Sequence, residues 1–219
     1  MKYYLITNAT NKKETGLVGP QCMVFPSGYN LDWYEQPNSM TKLSNDRIPD
    51  FEPELIFELD KKAKLTDFIS QSIISSRGLL INKKVKDILE QFRLPEHKFY
   101  PAKIFHKNEV FQYFWLHLID NNYDDIDYSK SIFYEGYTAG WKKENVTLNC
   151  FEDLIELRNK DFKLIFAENL VFKDSQKYTN FDMLLYSYLH QDIIISKEVI
   201  SSFVEKKITG YRIIEQDII

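Results

Sequence analysis

Ile193-Ile194-Ile195-Ser196-Lys197-Glu198-Val199 is a near-copy of Leu79-Leu80-Ile81-Asn82-Lys83-Lys84-Val85. The first copy continues through Leu89, Leu94-Pro95 and Phe99-Tyr100, the second through Phe203, Ile208-Thr209-Gly210 and Tyr211-Arg212-Ile213-Ile214. Each reads as a short buried strand, a capping residue, a helix of about three turns, a break and another strand. Asn82 and Ser196 are the caps, because a short side-chain oxygen satisfies a backbone N–H of the first turn. Ile81, Val85, Ile88, Leu89 and Phe92 share one helical face in the first copy, and Val199, Ile200, Phe203 and Val204 share one in the second. Pro95 closes the first helix, and Gly210 suits positive φ after the second. The expected fold class is α+β: a mixed β-sheet with helices packed on it and a duplicated strand-helix-strand unit.

Working outward, Tyr3–Thr7, Cys22–Phe25 and Glu54–Leu59 read as strands, and residues 27–50 as irregular. Thr66 is expected to cap a helix over Asp67–Ile74, ended by Ser75-Ser76-Arg77-Gly78. Phe99–Phe105 is a strand whose Pro101 favours an edge or a bulge, and Phe111–Ile119 reads as a central strand. Asn121–Asp127 is a loop, Ser131–Tyr134 a strand and Glu135–Trp141 a turn. Asn149 and Glu152 have capping-box spacing ahead of a helix reaching Asn159. Phe162–Phe172 reads as a strand or hairpin, and Phe181–His190 as helical. A soft boundary near residue 78 separates a β-rich part, 1–78, from an α/β part, 79–219, unless the whole is one domain.

Composition narrows the function classes. The chain of 219 residues is 44% hydrophobic and 15% aromatic, with 16 Phe and 14 Tyr, which is core-forming material and not the composition of a disordered chain. A net charge of −4 disfavours nucleic-acid binding, which needs a basic field. No apolar run approaches the ~18 residues of a membrane span, and the start is too short for a secretory signal. Cys22 and Cys150 read as reduced thiols in a cytoplasmic protein.

The polar clusters carry little chemistry. Asp120, Asp124, Asp125 and Asp127, interleaved with Tyr123 and Tyr128, lack the Gly and Glu of a calcium loop. That segment reads either as a solvated loop or as a contact surface for a basic partner, with Tyr123, Asp124, Asp125, Asp127 and Tyr128 as the contact residues. His97, His106, His117 and His190 have no zinc spacing, so neither a metal nor a cofactor is expected. A Cys150–His190 pair stands as the weakest nucleophile candidate. Gly16–Pro20 and Gly136–Gly140 match no phosphate loop.

The hydrophobic triplet, Ser/Asn cap, Lys-rich helix, break and aromatic strand resemble the bacterial polymorphic-toxin immunity proteins, and within them a group long catalogued as a domain of unknown function. Ile193–Ile214 resembles that group's near-terminal unit, Phe99-Tyr100-Pro101-Ala102 its aromatic-Pro strand, and Trp115–Ile119 with Ile126–Ser131 its central strand and following loop. Ile165-Phe166 falls where the group has Leu-Phe. The likeness covers about residues 50–219, and Pro95-Glu96-His97 departs from it where the second copy has Thr209-Gly210. It implies a cytoplasmic antitoxin, not an enzyme, that binds and blocks a cognate toxin domain sterically or by substrate competition. If that toxin is a nuclease, acidic groups would occupy its phosphate-binding surface. Two other classes remain open: an enzyme assembled from Asp127, His117 and His190, and a scaffold using an open edge at Phe99–Ile104.

Overall fold

A computed structural model of the chain describes residues 2–22, 35–137, 141–160, 162–174, 180–189 and 192–214. Among them are twelve strands and four α-helices. The strands are β1 (Tyr3–Asn8), β2 (Leu55–Glu58), β3 (Phe68–Ile69), β4 (Gly78–Asn82), β5 (His97–His106), β6 (Glu109–Leu118), β7 (Ile132–Gly136), β8 (Lys142–Val146), β9 (Ile165–Asn169), β10 (Met183–Leu184), β11 (Ile193–Ser196) and β12 (Tyr211–Ile214). The helices are α1 (Lys12–Thr15), α2 (Lys83–Leu89), α3 (Phe151–Lys160) and α4 (Lys197–Glu205). They form an α+β fold with three sheets, ordered β10-β11-β1-β12, β2-β5-β6-β4-β3 and β8-β7-β9.

The two quoted segments take the same local course. β4 and β5 both run antiparallel to β6, which lies between them, with α2 as the crossover. β11 and β12 both run antiparallel to β1, which lies between them, with α4 as the crossover. The caps act as their residue types dictate. Asn82 Oδ1 accepts from the Val85 N–H at 3.1 Å, and Ser196 Oγ from the Val199 N–H at 3.4 Å.

Strand alternation sorts the side chains into layers. Ile6, Leu79, Ile81, Leu116, Ile193 and Ile195 face a central core shared with Val85 and Leu89 of α2 and Val199 and Phe203 of α4. The opposite parity on β1 and β11, Tyr3, Leu5 and Ile194, faces a second core with Leu154 of α3 and Phe133 and Ile165 of the three-stranded sheet. Leu80, Tyr100, Tyr113 and Trp115 face a third core against Met40, Leu43, Leu55 and Phe57. Two sheets draw strands from both sides of residue 78, so no gap in strand pairing falls there.

Tertiary partners overrule several local expectations. Asp67–Ile74 is not a helix: Phe68 and Ile69 pair with Ile81 and Leu80, and the Thr66 hydroxyl, expected as a cap, bonds the Phe68 carbonyl. In the expected helix Phe181–His190, the described residues 181–189 are not helical, and His190 lies outside the described residues. Met183 and Leu184 pair with Ile195 and Ile194, and turns follow. The 162–172 segment contributes the single strand β9. At α3 it is Asp153, not Glu152, that accepts from the Asn149 N–H, at 2.8 Å. Cys22 makes one bridge to Gln71, and residues 23–25 of that expected strand lie outside the described residues. β5 is closed on both sides over Ala102–Phe105, by β6 and β2, whereas His97–Pro101 pair with β6 alone, so half of the expected Phe99–Ile104 edge is covered. Pro101 falls just before that second pairing begins, where a missing N–H costs no ladder bond to β2.

Asn82 also donates to Asp67 Oδ1 at 2.7 Å, so its removal strips a cap and a partly buried bond together. Asn82→Ala should cost about 1–2 kcal/mol in a urea melt. Breaking the exposed Lys83–Asp87 pair with Asp87→Ala should cost under ~0.5 kcal/mol. Equal effects would refute this ranking.

Candidate functional site

The acidic loop folds differently from a contact surface. A 3₁₀ turn over Tyr123–Asp125, capped by Asn122, rotates Tyr123 inward. Its ring stacks on Phe151 at 4.3 Å and meets Tyr186 and Tyr188 edge-on. Its hydroxyl accepts from the Tyr188 N–H at 2.9 Å and donates to Asp120 Oδ2 at 3.3 Å. Tyr128 is also buried, stacked on Phe133. Both tyrosines are therefore core anchors, because an aromatic ring gains more from this packing than from solvent. Asp127 is tied down locally, accepting from Ser129 Oγ and Lys130 Nζ, both at 2.7 Å. What the loop presents to solvent is Asp124, with Asp125 half-buried beside it.

Nor do the titratable candidates converge. His117 lies on β6 under the five-stranded sheet, 6.1 Å from the Tyr100 ring centroid, and burial lowers its pKa. Asp127 is held by Val171 beside the three-stranded sheet, and His190 lies outside the described residues. Burial pushes the Cys22 thiol up to about 12, and Cys150 sits half-buried ahead of α3. Among the described residues no group of three His, Cys, Asp or Glu could hold a metal ion.

Among the described residues, an exposed pair of aromatic rings lies at one end of the three-stranded sheet. Tyr137 and Trp141 are 63% and 66% exposed, and their rings meet edge-to-face at 5.6 Å. The strand register shifts at Glu135/Gly136, a bulge that bends the hairpin there. Gly136 permits the close approach, since a Cβ on it would lie 2.5 Å from the Trp141 carbonyl oxygen. Gly136 N–H bonds the Leu164 carbonyl at 3.0 Å, which brings Leu164 and Phe162, the latter 87% exposed, to the same end. Beneath them Glu135 accepts from Lys143 at 2.6 Å and pairs with Lys163 at 3.0 Å. Those lysines, Lys143 first, hold its carboxyl below the usual range.

In the sequence, Glu135–Trp141 reads only as a turn. The available signal was two large aromatics placed inside a glycine-bounded turn, where a core has no use for them. No protein-family model matches the chain, and no curated protein matches it in sequence.

Asp120, behind the loop, provides a pH readout. It accepts from the Ser187 N–H at 2.9 Å and Oγ at 2.6 Å, yet burial raises its pKa to about 6. A carboxyl with a folded pKa above its unfolded ~3.9 binds its proton more tightly in the native state. Its stabilising contribution is full below about pH 4 and lost as pH rises through about 6. Asp120→Asn should therefore gain stability relative to wild type by on the order of 3 kcal/mol between pH 4 and 7.5. A stability difference between variant and wild type that does not change over that range, measured by urea unfolding, would contradict the assignment.

Proposed function

We propose that this protein is a cytoplasmic immunity protein that binds a cognate toxin domain through the end of its three-stranded sheet. One observation supports this location: the exposed Tyr137–Trp141 pair on a bulged hairpin, whose Gly136 bonds the Leu164 backbone. Large, stiff aromatics lose little side-chain entropy on binding, and Trp and Tyr are over-represented among residues that dominate interface energy. Lys142, Lys143 and Glu144 of the neighbouring edge strand supply a charged rim, which sets register and discourages unspecific strand addition. The resemblance of residues 50–219 to immunity proteins supplies the kind of partner. Inhibition is steric, by a rigid surface covering the toxin's working face.

The exposed Asp124, with the half-buried Asp125 beside it, adds steering towards a basic partner and little affinity. An enzyme built on Asp127 and His117 is the weaker reading, since those two residues lie beside different sheets.

The immunity reading predicts a toxin domain encoded next to this protein's gene, and the test uses that domain. Wild type should rescue cells producing it and form a complex on size exclusion. Trp141→Ala should weaken binding at least ~30-fold, a hot-spot loss of about 2 kcal/mol, while unfolding stability moves by less than ~0.5 kcal/mol. Rescue and affinity untouched by Tyr137→Ala and Trp141→Ala would move the interface elsewhere. Failure of wild type to bind or rescue would end the immunity reading.

A further inference from the structure

A small cavity of about 60 Å³ lies where the three sheets meet. Arg77 lines it from the segment leading into β4, and Arg158 from α3. Leu164 and Phe166 line it from the start of β9, and Ser187 and Leu189 from the turns after β10. A water needs roughly 10–15 Å³ by such a measure, so roughly four to six heavy atoms fit.

Among the described residues that line this cavity, the two arginines are the only charged groups. The Arg77 guanidinium is partly buried, and it makes no hydrogen bond or ion pair with any described residue. Burial lowers its pKa, Asp192 works against this, and Arg158 lowers it further. A guanidinium with five N–H donors, no acceptor and a second cation on the same small cavity is a costly arrangement that an anion between the two would relieve. Both groups are already held. Asn45 accepts from the Arg77 N–H and donates to the Arg77 carbonyl, both at 2.7 Å. Arg158 donates one guanidinium N–H to the Tyr188 carbonyl at 2.6 Å and lies 5.3 Å from the Tyr188 ring centroid, which leaves its other N–H groups without a described partner.

The wider neighbourhood sets how much negative charge the cavity takes. Asp192 and Arg212 lie beyond Arg77, Asp120 lies behind Ser187, and Asp46 lies near Asp120. Each acid is turned to a partner of its own: Asp192 to Thr7, Asp120 to Ser187 and Tyr123, and Asp46 to Ser44. Lys163, beside Leu164, is paired with Glu135 at 3.0 Å. The surroundings therefore balance the third arginine, and the cavity wall itself is cationic, which suits one negative charge better than two. The rest of the wall is apolar. Leu164, Phe166 and Leu189 give nothing to the far oxygens of a tetrahedral oxyanion, but they cover a short hydrocarbon well.

We infer that this cavity binds a small monocarboxylate, its two oxygens on Arg77 and Arg158 and its alkyl group against Leu164, Phe166 and Leu189. The guanidinium fork matches a planar carboxylate, which accepts two bonds at once. The inference concerns the purified chain alone and does not depend on the immunity reading.

The experiment is calorimetric titration of the full chain with acetate and propionate, alongside phosphate and 1-propanol, at constant ionic strength set by chloride. At least one carboxylate should bind saturably, tighter than about 10 mM, and raise the melting temperature, with phosphate and 1-propanol weaker by at least about tenfold. Arg77→Gln should lose at least about tenfold in affinity without loss of folded stability, because it removes an unpaired, partly buried cation. Arg158→Lys keeps the charge and loses the fork; it serves if Arg77→Gln does not fold, and should weaken binding by at least about threefold. No carboxylate binding tighter than about 10 mM, phosphate or 1-propanol binding equally well, or affinity indifferent to whichever variant folds would each overturn the inference.

Discussion

Two aspartates hold the two principal sheets in register, and each does so across the symmetry of the topology. Asp67 accepts from Asn82, the cap of α2, and also from Thr209 N–H at 2.8 Å and Oγ1 at 2.7 Å, just before β12. Asp182 accepts from Ser196, the cap of α4, at 3.1 Å, and from the Arg93 N–H at 2.9 Å, between α2 and β5. Each carboxylate thus secures its own helix start and clasps the loop after the other helix. Charge-assisted bonds of this kind are about twice as strong as neutral ones, and Asp182 is buried, so the clasp fixes the relative placement of two strand-helix-strand layers that share the central core.

That clasp works because β1 completes the second layer. The first strand of the chain sits between β11 and β12, with Leu5 paired to Ile194 on one side and Ile214 on the other. It feeds Tyr3 and Leu5 to one core and Ile6 to another. Of the three cores, the third sheet contributes to the first alone, and Tyr137 and Trp141 at its end stay exposed. A bulged hairpin there can carry exposed aromatics without disturbing the packing that sets stability.

Much of this was readable from residue pattern. Leu79 and Ile81 against Leu80 announce a strand with two buried faces, and Asn82 and Ser196 announce helix starts, because cap chemistry is local. The segments that misled are those whose residues serve distant partners. Thr66-Asp67 has the form of a helix start, but Asp67 spends its oxygens on Asn82 and Thr209, 15 and 142 residues away. Phe181–His190 looks helical from composition, but Asp182 and Met183 are committed to α4 and β11. Tyr123 and Tyr128 look like contact residues because an acidic loop surrounds them; nothing local reveals that a 3₁₀ turn hides the first and Phe133 covers the second. Conversely, Tyr137 and Trp141 sit in a turn motif, and only the bulge at Gly136 shows them left outside every core.

The account stands on the two clasped layers behaving as one cooperative body. Native-state hydrogen exchange on the amides of β1 and β6 across a denaturant series measures this directly. The prediction is that Leu5 and Ile6 exchange only through global unfolding, with the same free energy and denaturant dependence as Leu116 and Leu118. Exchange of β1, β11 and β12 through a lower-energy opening, with β6 still protected, would contradict it.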